Sequence, residues 1–215
     1  MLNTNLLRFV GVPKRICAVL KTIEPEIPAE DLHRSLFFYG PAGTGKTVQA
    51  ASILAESLFS KIHIPSLQVM LDPESAVYIG DHPPMFSKRY MFARVPDLLQ
   101  RFKRSFDRNS DENEGDLIDM YSQAQLLVLD DIGTEMATDW AYLTVYLIVD
   151  NRYNEMLPTI FTSNLDLSML GKKFMDERLV SRIIEMCGKN GIREMSEKNG
   201  TNYRKEILKK GLHTL

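Results

Sequence analysis

Short apolar runs that stop at glycine, aspartate or asparagine, each followed by a stretch with helical spacing, set the rhythm of this chain. Leu36-Phe37-Phe38-Tyr39 reads as a buried strand entering the turn Gly40-Pro41-Ala42-Gly43. From Gly45 to about Ser60 the positions Val48, Ala51, Ile53, Leu54, Leu58 and Phe59 recur as on one helix. Tyr90–Val95 predicts a strand. Pro96 then suits a helical first turn, with Leu98, Leu99, Phe102 and Phe106 following at helical spacing. Leu126–Leu129 is a second buried strand that ends on Asp130-Asp131. Trp140–Tyr153 predicts a helix with Leu143, Tyr146, Leu147 and Asn151 on one side. Thr159–Thr162, closed by Ser163-Asn164, gives a further strand, Asp176–Cys187 a helix, and Gly191–Met195 a last strand. Continuously apolar strands alternating with helices imply a parallel sheet covered on both faces. Three segments break the rhythm. Residues 1–34 are cut into pieces by Pro13, Pro25 and Pro28. Residues 61–88 carry four prolines and read as an insertion. Residues 107–119 hold six acids and one base and read as a solvated loop.

Length and charge bound the function classes. A chain of 215 residues with 44% hydrophobic and 25% charged residues is one globular domain with at most a small appendage. The 26 basic and 28 acidic residues give a net charge of −2, which excludes a histone-like protein but not a local basic patch. Cys17 and Cys187 cannot build a disulfide framework or a four-cysteine metal site. No apolar run approaches the ~20 residues a membrane span needs. The expectation is a cytoplasmic protein with no membrane partner.

The chemistry lies where the runs stop. Gly40-Pro41-Ala42-Gly43-Thr44-Gly45-Lys46-Thr47 fits G-x-x-x-x-G-K-[ST], between a strand and a helix. Glycines let several backbone N–H groups converge on one anion, and the helix that follows adds its unpaired donors. Lys46 would reach the β- and γ-phosphates of ATP, and the Thr47 hydroxyl would join a Mg²⁺ shell. Gly40 through Val48 is therefore the candidate nucleotide-binding segment. A phosphate loop needs a carboxylate from another strand end to complete the metal site. Asp130 is that candidate metal ligand, with Asp131 placed to orient or deprotonate the attacking water. Asn164, ending the next strand, can hydrogen-bond both a phosphate oxygen and that water. Each acid alone also fits a helix cap or turn; it is the loop upstream that makes them catalytic candidates.

Gly40–Thr47 with Leu126–Gly133, then Thr134-Glu135, Thr138-Asp139-Trp140, Asn151-Arg152-Tyr153 and Pro158–Leu165, resembles the DnaC/DnaI helicase-loader branch of AAA+ ATPases, much of it shared with IstB transposition ATPases. Arg94–Leu99 and Asn202-Tyr203-Arg204 are also similar, so the resemblance covers about residues 8 to 206, with 61–88 matching poorly. It implies a P-loop NTPase (AAA+/ASCE) fold of α/β class, a three-layer αβα sandwich with parallel strand order 5-1-4-3-2. It also implies an ATP site completed by an arginine from a neighbouring subunit. Glu177–Ile183 matches that segment, with Arg182 the first candidate and Arg178 the second. Val12-Pro13-Lys14-Arg15 resembles the segment that lines the adenine pocket.

The resemblance divides the chain into an N-terminal segment 1–34, a core 35–206 and a tail 207–215. The residues after Met195 are too few for the usual helical lid, so the lid is expected to be reduced or absent; Arg204 is only a candidate lid arginine. Only 35 residues precede the first strand, so the module that grips the replicative helicase is expected to be missing, reduced or supplied by another protein. Asp131 replaces the longer glutamate of many AAA+ proteins, which implies slow, switch-like hydrolysis. Basic residues of 88–108, chiefly Lys88, Arg89, Arg101 and Arg104, interleave with Phe86, Tyr90 and Phe92 and suit single-stranded DNA; a solvated helix face explains them as well. The leading expectation is a DNA-replication factor: a helicase loader that oligomerises with itself into a ring or spiral on single-stranded DNA, hydrolyses ATP and engages a replicative helicase. The alternatives are an IstB-like helper that engages a transposase and a weakly hydrolysing nucleotide-gated adaptor.

Overall fold

A computed structural model describes residues 4–22, 27–61, 89–107, 110–134 and 138–196. Five strands form one sheet: β1 (Leu36–Tyr39), β2 (Tyr90–Arg94), β3 (Leu126–Asp130), β4 (Thr159–Ser163) and β5 (Ile192–Glu194). Their order is β2-β3-β4-β1-β5 and every pairing is parallel. This is the 5-1-4-3-2 order the resemblance implies. Every residue of β3 and of β4 is buried, the signature of strands covered on both faces.

Helices α1 (Thr4–Phe9), α2 (Lys14–Leu20) and α3 (Lys46–Lys61) cover one face, on a core that includes Phe38, Leu54, Val128 and Ile160. Helices α4 (Val95–Arg104), α5 (Glu114–Ser122), α6 (Asp139–Asn154), α7 (Leu167–Phe174) and α8 (Arg178–Gly191) cover the other, on a core that includes Phe37, Phe102, Leu129, Ile148 and Phe161. Successive strand residues thus serve opposite cores, as the pleat requires.

Several expectations are corrected. The acidic segment 107–119 is not a loop throughout. Helix α5 begins at Glu114, where the Asn113 side chain accepts from the Asp116 N–H and the two first-turn acids favour a helix N-terminus. Within the 1–34 segment, Leu6, Leu7, Val10, Val12, Cys17, Val19 and Leu20 are buried against α3 and the sheet. The Val10 carbonyl accepts from the Phe92 N–H at 2.7 Å and so covers edge strand β2. A Cβ on Gly11 would lie 2.2 Å from the Phe92 carbonyl oxygen, so only glycine allows that approach. On α6 the stripe Leu143, Leu147 and Asn151 faces outward, while Tyr142, Val145, Ile148, Val149 and Arg152 face the core. Helix α7 was not anticipated; its Asp166 cap accepts from the Met169 N–H at 2.7 Å. The 61–88 insertion, apart from residue 61, and the 207–215 tail lie outside the described residues.

Candidate functional site

The β1 ladder delivers the chain to Gly40, and the turn that follows is built on left-handed glycines. Gly40, Gly43 and Gly45 have φ of 134°, 92° and 95°. A Cβ on Gly40 would stand 2.3 Å from the Met195 carbonyl oxygen, so the loop lies directly on the strand exit of β5. Thr44 Oγ1 donates to the Pro41 carbonyl at 2.9 Å, which closes the turn. Lys46, the first residue of α3, is buried, and its Nζ donates to the Gly40 and Pro41 carbonyls at 2.7 and 2.8 Å. The amine is therefore folded back over the loop that the helix N-terminus also faces.

Strand β3 carries Asp130 on its last residue, 3% exposed. Its Oδ1 accepts from the Thr162 hydroxyl at 2.7 Å. Burial pushes the Asp130 carboxyl above its usual range, against hydrogen bonds from Thr162 and Thr47 that favour the anion; the Asp131 charge raises it further and the Arg94 charge lowers it. Thr47 and Asp130, the two candidate metal ligands, thus meet. Asp131 sits in the left-handed region at φ 67°, a conformation costing about 1–3 kcal/mol for a non-glycine residue. Neighbouring bonds hold it there. Its N–H donates to Thr162 Oγ1 at 2.9 Å, and its carbonyl accepts from the Thr134 hydroxyl at 2.8 Å. Ile132 N–H donates to the Thr162 carbonyl at 2.9 Å, Ser163 Oγ donates to the Ile132 carbonyl at 2.7 Å, and Lys173 Nζ of α7 donates to the Gly133 carbonyl. Asn164 Nδ2 donates to Asp131 Oδ1 at 3.3 Å, so the candidate water-orienting pair is in contact.

These segments wall one cleft of about 440 Å³, at the strand C-termini where open α/β sheets hold ligands. Ala42, Gly43 and Gly45–Val48 form the side where phosphates could be held; Gly40, Pro41 and Thr44 shape the loop without lining the wall. Asp130, Asp131, Thr162 and Asn164 form the acid end. Pro13, Arg15, Ile16 and Val19 supply a partly apolar wall for a base, where the sequence pointed to 12–15. Among the described residues no group of three or more His, Cys, Asp or Glu is arranged around a metal. One buried carboxylate and one hydroxyl fit Mg²⁺, which takes few protein ligands and completes its shell with phosphate oxygens and water.

Other candidates lie elsewhere. Arg182 is half-buried: its Nε donates to Asp150 Oδ1 at 2.8 Å, and its guanidinium stacks 4.2 Å from the Tyr153 ring centroid. Arg178 pairs with Asp176 at 2.6 Å and lies 5.0 Å over Tyr146. Neither lines the cleft of its own chain. Arg101 is spent within the fold, where Nε donates to Glu112 at 2.9 Å and a second nitrogen to Tyr121 Oη at 3.3 Å. Arg89 and Arg104 are exposed; Lys88 and Arg204 lie outside the described residues. Sequence reasoning missed Thr162, Arg94 and Lys173. Thr162 and Arg94 had one signal each, a polar residue at the end of an apolar strand; Lys173 had none.

The parallel sheet of this order, with a glycine-rich loop after β1, which lies between β4 and β5, and paired acids at the end of β3, is the fold of a P-loop NTPase. No family model matches the chain. It is similar to the replicative helicase loader DnaC of Escherichia coli (27% identity, 69% of this chain, 49% of the relative). It is also similar to the replicative helicase loader DnaI of Bacillus subtilis (27% identity, 66% of this chain, 36% of the relative). The match spans at most about half the length of these relatives. Among solved structures, a DnaC helicase loader superposes with a TM-score of 0.55 (24% identity, 86% of this chain, 91% of that one). AMPPCP-bound DnaA from Aquifex aeolicus superposes with 0.57 (20% identity, 95% and 54%). In sequence the chain is similar to the DnaC and DnaI helicase loaders, and the solved structures show that it has the P-loop NTPase αβα fold. No helix among the described residues is long and apolar enough to cross a membrane.

Proposed function

We propose that this chain is an ATP-dependent helicase loader of DNA replication. ATP and Mg²⁺ occupy the cleft between Pro13 and Asn164. The observation that carries the reading is the convergence on one cleft of Lys46, Thr47, Asp130, Asp131 and Asn164, from three strand ends. Backbone N–H groups of the loop and Lys46 hold the phosphates. Thr47 and Asp130 hold the metal, which supplies charge neutralisation on the phosphoryl oxygens. Asp131, fixed by Asn164, orients a water for attack and accepts its proton. Arg182 reaches the same phosphates from a neighbouring copy, leaving Asp150 as the subunits dock. ATP thereby drives assembly on single-stranded DNA, and hydrolysis releases the replicative helicase; the relatives' role as helicase loaders supports this partner.

Lys46→Ala is expected to abolish nucleotide binding with the fold retained. Arg182→Ala is expected to keep binding and lose turnover; equal turnover of this variant and the parent at saturating DNA overturns the trans-acting arginine. Native mass measurement with a non-hydrolysable ATP analogue, with and without single-stranded DNA, tests the assembly. A monomer under every condition would leave a nucleotide-gated adaptor, and co-purification with a transposase would favour the transposition helper.

A further inference from the structure

Arg94 was grouped by sequence with the basic residues of 88–108, as one more charge on a possible DNA surface. The structure gives it a different neighbourhood. It is the last residue of β2, its register partner on β3 is Asp130, and it lines the nucleotide cleft together with Asp131 and Asn164. Its guanidinium acts electrostatically on the Asp130 carboxylate. Arg94 therefore stands at the acid end of the cleft, beside the metal ligand and the residues assigned to the attacking water.

The guanidinium is held there by a weak tether. Its NH1 lies 3.2 Å from Asp97 Oδ2, with 45% and 62% of the two side chains exposed. Exposed pairs of this kind contribute about 0–1 kcal/mol, so the partner is exchangeable. A terminal phosphoryl group entering beside two carboxylates needs cationic neighbours besides Lys46. A planar guanidinium can meet two phosphoryl oxygens at once, which a solvated carboxylate on the first turn of α4 cannot prevent.

We propose that Arg94 reads the γ-phosphate in cis: its guanidinium leaves Asp97 for the terminal phosphoryl oxygens of a nucleoside triphosphate, and this exchange distinguishes triphosphate from diphosphate. The inference rests on the reading of the cleft as an ATP site. Asp97 is then an internal competitor that holds the arginine in place when no γ-phosphate is present.

Calorimetric titration of the full chain with a non-hydrolysable ATP analogue and with ADP, both with Mg²⁺, tests this. Arg94→Gln is expected to weaken the triphosphate analogue roughly tenfold, the size of one charge-assisted hydrogen bond, and to leave ADP within about twofold. Asp97→Asn is expected to raise the preference for triphosphate. An unchanged ratio in Arg94→Gln, or equal losses for both nucleotides, overturns the proposal while the ATP site stands. A parent protein that binds neither nucleotide overturns the ATP-site reading itself, and the inference with it. Should Arg94→Gln fail to fold, Asp97→Asn decides alone, and an unchanged or reduced triphosphate preference refutes the exchange.

Discussion

Replacing Thr162 by valine removes one oxygen and keeps the β-branched shape of a fully buried strand residue. That oxygen donates to Asp130 Oδ1 at 2.7 Å and accepts the Asp131 N–H at 2.9 Å, so a single atom ties both acids to β4. Losing the bond to the carboxylate costs about 1.5–3 kcal/mol, and leaving a buried N–H unpaired costs about 1–3 kcal/mol. The two losses share one atom and are not additive, so about 3 kcal/mol is the working figure. For a chain of this length that is a drop in melting temperature of roughly 6–12 °C. The freed N–H also removes one of the bonds that hold Asp131 at φ 67°, so its carboxylate swings away from Asn164. Turnover should then fall at least ~10-fold, the equivalent of 1.4 kcal/mol in the barrier. Scanning calorimetry and an ATP hydrolysis assay read the two effects. Thr162→Ser keeps the hydroxyl, so it should restore turnover and lose only the ~1 kcal/mol of one methyl group. A valine variant that melts within ~2 °C of the parent and hydrolyses ATP at the parent's rate would show that the hydroxyl positions nothing.

Three further outcomes follow from the same geometry. Arg152 is wholly buried and has no carboxylate partner among the described residues; it donates to the Tyr121, Ser122, Ala124 and Pro158 carbonyls and to Thr159 Oγ1, and burial lowers its pKa to about 9. Arg152→Met, which orphans those acceptors, should cost about 3–5 kcal/mol by denaturant unfolding, and Arg152→Lys should not rescue it because one ammonium cannot span the fork. The Arg101 hydrogen bonds hold Glu112 below the usual carboxylate range. The unfolded chain therefore binds this proton first, and the contribution is present above the ordinary value of about 4.3 and is lost as pH falls below it. Melting curves between neutral pH and pH 3 should show a shallower acid decline for Arg101→Gln, a modest effect because both side chains are partly exposed. Gly40→Ala places a methyl 2.3 Å from the Met195 carbonyl oxygen at φ 134°, so it should displace the loop and abolish nucleotide binding measured by calorimetry.

The alternation of buried strands and helices was legible because parallel strands covered on both faces are largely apolar, as Leu36–Phe38, Leu126–Leu129 and Ile160-Phe161 are, with polar residues confined to the strand ends. The phosphate loop was legible for a local reason as well: Gly40, Gly43 and Gly45 are needed for a backbone that few other residues can adopt. Where a decision depended on a partner distant in sequence, local pattern failed. Leu143 and Leu147 look like a core stripe, yet they are the outward face of α6, because Tyr142, Val145 and Ile148 meet the sheet instead. Arg101 and Arg94 look alike as exposed charges in the sequence; only the fold sends one to Glu112 and the other to the cleft. Helix α7 and the docking of α1 and α2 were hidden because short segments form through tertiary contact rather than intrinsic periodicity.

By itself, then, the sequence determined the αβα class, the phosphate-binding turn and the identity of the acids, because these depend on residue type and near-neighbour spacing. Tertiary structure alone decided which charges are paired inside the fold, which line the cleft, and that one threonine hydroxyl on β4 bonds to both Asp130 and the Asp131 N–H. Those assignments depend on sheet register, and a register pairs residues such as Asp130 and Thr162 that lie 32 positions apart.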